Sequence, residues 1–70
     1  MEIEYEVVED GRTQLLLVDM RGRTTTVVDA EIAAGRYVAM FDASGLPSGS
    51  YICVLQTATQ RLTQSVTIQR

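Results

Sequence analysis

What most limits this chain is the length of its ordered runs. Stretches of about five to eight β-favouring residues are cut by Gly, Pro, Asp or Ser every ten residues or so, across 70 residues in all. No segment carries an apolar 3.6-residue repeat long enough for a stable helix. A chain of this size buries only about 60% of the surface its unfolded form exposes, so the runs must share one interior. The spacing predicts an all-β fold: one domain over residues 1–70, a small antiparallel β-sandwich of about six to seven strands.

Period-2 alternation is clearest at the start. Ile3, Tyr5 and Val7 alternate with Glu2, Glu4 and Glu6, a half-buried strand with one acidic face. Glu9-Asp10-Gly11 turns the chain into a more continuously apolar strand, Thr13 to Val18, which ends at Asp19-Met20-Arg21-Gly22. A hairpin between these first two strands is the simplest expectation. Thr24 to Val28 is rich in β-branched residues and forms the third strand. Asp29 to Gly35 is too short for a helix and is read as a loop. Arg36 to Phe41 and Tyr51 to Gln56 are apolar at both alternating sets of positions and are expected to be covered on both faces. Leu46-Pro47-Ser48-Gly49 reads as a β-turn with Pro at its second position and Gly at its fourth, setting the register of the strands it joins. The last strand, Leu62 to Gln69, places Leu62, Val66 and Ile68 on one side and Thr63, Ser65 and Thr67 on the other.

Composition removes several classes of function. Six Arg and no Lys or His against nine acidic residues give a net charge of −3, the wrong sign for gripping phosphate backbones, so no nucleic acid is expected. Apolar runs such as Leu15 to Val18 fall far short of the ~20 residues of a membrane-spanning helix. Met1-Glu2-Ile3-Glu4 lacks the basic start of a secretory signal. Without His, the commonest general base and metal ligand is missing, and no catalytic residue, metal or cofactor is expected. Cys53, the single cysteine, lies between Ile52 and Val54 and reads as a small buried hydrophobe rather than a nucleophile. Glu2, Glu4 and Glu6, with Glu9 and Asp10, invite a calcium reading. Carboxylates two apart on a strand sit ~6–7 Å from each other, so a solvated face pairing with Arg on the neighbouring strand is the better reading. Arg21, Arg23 and Arg36 read as soluble turn and rim charges.

Four short motifs occur in a fixed order: Asp19-Met20-Arg21-Gly22-Arg23, Ala34-Gly35-Arg36-Tyr37, Phe41-Asp42, and Gly45-Leu46-Pro47-Ser48-Gly49-Ser50-Tyr51. In order and interval they resemble the C-terminal sorting domain of the type IX (Por) secretion system and the related FlgD-like immunoglobulin-like domains, over nearly the whole chain. The family's opening "NPFNP"-like segment and strand have no counterpart in these residues, which leaves two alternatives: a trimmed chain or a domain without that first strand. Ser50 stands where Val is common, and Gln64-Ser65 where lysines often precede the end of the last strand.

The resemblance implies an immunoglobulin-like sandwich at the C-terminus of a larger exported protein, with no catalytic role. It also implies a periplasmic route to secretion or the cell surface, recognition by the outer-membrane translocon, and processing by a sortase-like peptidase. The candidate partner-binding residues are Leu46, Pro47, Ser48 and Gly49 in the turn and Leu62, Val66, Ile68 and Arg70 in the last strand. The alternative is a structural module that forms homo-oligomers by pairing an unprotected sheet edge.

Overall fold

A computed structural model describes residues 1–68 of the chain. It is an antiparallel β-sandwich of six strands: β1 (Glu2–Val7), β2 (Gly11–Asp19), β3 (Thr24–Ile32), β4 (Gly35–Met40), β5 (Gly49–Gln56) and β6 (Arg61–Ile68). One short 3-10 turn, Ala43–Gly45, precedes β5, and no α-helix occurs among the described residues. The sheets are unequal, with β1-β4 in one and β3-β2-β5-β6 in the other.

The core lies between them. Leu15 and Leu17 of β2, Tyr51 and Cys53 of β5 and Ile68 of β6 face Ala39 of β4, with Ile3, Tyr5, Val27, Val28, Phe41, Leu46, Leu55 and Val66 packed around them. Val7 and Thr13 are also buried, and the Thr13 hydroxyl donates to the Gly11 carbonyl at 3.4 Å.

The expected hairpin between the first two strands is not formed. β1 pairs with β4, Ile3 opposite Ala39 and Tyr5 opposite Tyr37, while both edges of β2 are taken by β3 and β5. Crossing to the second sheet lays the apolar face of β1 over the interior, whereas a place beside β2 would leave that interior without a lid. Asp10 fixes the crossing by accepting a 2.7 Å hydrogen bond from the Ala34 amide, which ties the β1–β2 connection to the β3–β4 connection.

The segment read as a loop, Asp29 to Gly35, is mostly strand. β3 runs on to Ile32, with Ala30, Glu31 and Ile32 opposite Thr13, Arg12 and Gly11. An Arg12–Asp29 ion pair at 2.6 Å clasps this half of the ladder. Pairing with a partner strand overrides the weak β preference of Ala and Glu. A bulge explains the run Val27-Val28: Leu15 faces Val28 and Leu16 faces Thr26, leaving Val27 as the extra residue, and both valines pack on the core.

Two further expectations are corrected. The strands at Arg36–Phe41 and Tyr51–Gln56 are not covered on both faces, because two stacked sheets cover only their inner sides: Val38 is 54% and Met40 73% exposed. Val54 is the exception, buried on the outer side of the large sheet between Leu16 and Thr63. The Leu46–Gly49 segment is a pair of bends at Leu46 and Ser48 rather than a regular turn. It joins β4 to β5, which belong to different sheets, so it sets no pairing register.

Candidate functional site

One end of the sandwich brings together the Asp19–Arg23 and Leu46–Tyr51 motif residues, while Ala34 and Gly35 lie at the other end, where the Ala34 amide donates to Asp10. β2 and β3 are joined through Met20, Arg21 and Gly22. Gly22 donates to the Asp19 carbonyl at 3.1 Å, and Asp19 donates to the Arg23 carbonyl at 2.9 Å. With Gly22 at φ +87°, this is a turn completed by a left-handed glycine, a common three-residue hairpin connection. The Asp19 side chain reinforces it by accepting from the amides of Arg21 (2.9 Å) and Arg23 (2.8 Å). Asp and Gly are therefore needed at these two positions for the turn itself, which leaves the Arg21 and Arg23 side chains exposed.

The Leu46–Gly49 segment lies beside this turn. A shallow depression of about 250 Å³ is lined by Asp19, Met20, Arg21 and Arg23 on one side and Pro47, Ser48, Gly49, Ser50 and Tyr51 on the other. Tyr51 is buried and its hydroxyl donates to the Pro47 carbonyl at 2.6 Å, pinning the bend to the strand that follows it. Leu46 tucks against the core, while Pro47, Ser48 and Gly49 are exposed.

The last strand reaches the same end. Ile68 pairs with Gly49 and Val66 with Tyr51, so both sit next to the bend, Ile68 buried and Val66 partly so. Leu62 does not join them: it pairs with Leu55 near the opposite end, six residues or about 20 Å along the strand from Ile68. Arg70, named from the sequence, lies outside the described residues. The eight candidate residues thus divide into a rim cluster (Leu46 to Gly49 with Val66 and Ile68), a distant Leu62, and Arg70. Arg36 also lies away from Arg21 and Arg23, on β4 beside Glu6 at 3.9 Å.

The acidic residues that invited a calcium reading are spread out. Glu2, Glu4 and Glu6 line the outward side of β1, Asp10 is engaged with Ala34, and Glu9 accepts a hydrogen bond from the Thr59 hydroxyl across the other end of the molecule. Cys53 is 8% exposed, and burial pushes its thiol pKa up, as suits a packed side chain rather than a nucleophile. Burial, with the neighbouring Tyr37, likewise raises Tyr5, and the two rings stack at 5.6 Å between centroids.

A second feature was not read from the sequence. A groove of about 660 Å³ runs between the sheets, with Met1 and Glu2 to Glu6 of β1 on one side and Leu62, Thr63, Gln64 and Val66 of β6 on the other. Leu15, Cys53 and Leu55 also line it. The two-stranded sheet is too narrow to cover the four-stranded one. Leu62, an apolar residue at an inward position of β6, stays 54% exposed as a result. Searches against protein-family models, curated proteins and solved structures find no match to this chain.

Proposed function

We propose that the chain is a non-catalytic, immunoglobulin-like sorting module, carried at the C-terminus of a larger protein and recognised by an outer-membrane translocon of the type IX kind. The observation that supports this most is convergence. The Asp19–Arg23 turn, the Leu46–Tyr51 segment and the end of β6 are far apart in sequence yet form one rim. A rim of exposed turn residues on a rigid sandwich suits recognition by another protein. On this reading, export takes the cargo through the periplasm to the outside or the cell surface, where a sortase-like peptidase acts.

The test is secretion of a reporter fused ahead of the chain in a bacterium with such a translocon. Removal of residues 66–70 is expected to leave the reporter in the periplasm. That deletion also strips the strand partners of Gly49 to Tyr51, so a fold-sparing change is needed beside it. Ser48→Glu alters an exposed rim side chain and is expected to reduce secretion while leaving the unfolding midpoint unchanged. Equal periplasmic retention of the intact fusion and the truncated one overturns the proposal.

A further inference from the structure

The open side of the small sheet has a specific polarity. The Met1 and Phe41 backbones exchange two hydrogen bonds, each 2.8 Å, which makes them a hydrogen-bonded antiparallel pair. By alternation Ile3 and Ala39, Tyr5 and Tyr37, and Val7 and Gly35 are the next such pairs. The amides and carbonyls of Glu2, Glu4 and Glu6 therefore point away from β4, towards the groove above β6. An unpaired strand edge beside an apolar groove is the geometry that recruits an added strand.

The side chains define what that strand must be. Residues pointing inward from a strand beside β1 would meet Leu55, Leu62 and Val66 and must be apolar. Residues pointing outward would stand beside Glu2, Glu4 and Glu6. Glu6 has Arg36 opposite, but Glu2 and Glu4 face Met40 and Val38 across the sheet and make no ion pair among the described residues. Opposite charges on directly facing positions stabilise a ladder and like charges destabilise it. A second copy is a poor occupant, since β1 against β1 sets carboxylate against carboxylate between chains of net charge −3. We infer that the groove along β1 is an acceptor for an extended segment of another protein that alternates basic with apolar residues, paired to the free edge of β1. This rests on pairing and charge and is independent of the sorting proposal.

The probe is a synthetic heptapeptide alternating lysine with valine or isoleucine, titrated into the isotopically labelled protein. A glutamate-for-lysine version and a scrambled version of the same composition serve as controls. Expected are shift changes confined to β1, β6 and Leu55, new exchange protection of the Glu4 and Glu6 amides, and affinity that falls with salt. The double variant Glu2→Lys/Glu4→Lys alters exposed side chains only. It is expected to weaken the basic peptide by about tenfold or more and to favour the acidic one. Leu62→Ser, also at an exposed position, is expected to weaken binding without lowering the unfolding midpoint. Equal affinity for basic and acidic peptides, shifts elsewhere on the molecule, concentration-dependent pairing of β1 between two copies, or full protection of the Glu4 and Glu6 amides before peptide is added would each overturn the inference.

Discussion

At the scale of single residues, the fold rests on a few side chains whose removal has a definite cost. Leu17 is 1% exposed at the centre of the inter-sheet contact. Leu17→Ala is expected to cost about 2–5 kcal/mol, most of what a domain this small has to give; urea denaturation is expected to find the variant largely unfolded at room temperature. Tyr51→Phe removes only the bond to the Pro47 carbonyl, and about 0.5–1.5 kcal/mol should be lost with an unchanged denaturant slope. Cys53 gives a pH signature. Its folded thiol pKa is raised, so its contribution is complete below the ordinary thiol value of about 8.5 and is lost as pH rises from there through the folded value. Alkylation of the native protein at mildly alkaline pH should therefore be slow and should track unfolding. Burial of Cys53 was legible because apolar residues flank it on both sides. Burial of Val54 was not, since it depends on Leu16 and Thr63, which only the pairing brings alongside.

At the scale of elements, the β2–β3 connection is the best-specified piece of the chain. Asp19→Ala removes two side-chain hydrogen bonds from the turn, and Gly22→Ala forces a side chain into φ +87°. Each should lower stability by about 1–2 kcal/mol, read as a shifted urea midpoint. The Arg12–Asp29 clasp farther along the same hairpin has a pH sign. The Arg12 guanidinium, hydrogen-bonded to Asp29, holds that carboxyl below the usual carboxylate range. Its contribution is present above about pH 3.9 and lost as pH falls through the lower folded value. Asp29→Asn should flatten the acid limb of the stability profile, an effect that salt diminishes because the pair is exposed. Strand positions and the Asp-Gly turn were readable from local pattern. The partner of β1 and the true length of β3 were not: a period-2 pattern shows that a strand has an inner face but not which neighbour completes its ladder.

At the scale of the whole molecule, two sheets of unequal width explain both the rim and the groove. Four strands offer an inner face that two strands cannot cover, so β6 keeps Leu62 in the open while β1 keeps a free edge. Composition could show that a small β-sandwich forms, but not how six strands divide between its sheets. The most direct test of this division is amide exchange along β1, combined with cross-strand Hα–Hα contacts. Slow exchange at Ile3, Tyr5 and Val7, fast exchange at Glu4 and Glu6, and close Hα pairs joining Glu4 to Val38 and Glu6 to Arg36 are the predicted result. Hα contacts from β1 to β2, or uniform protection along β1, would contradict it.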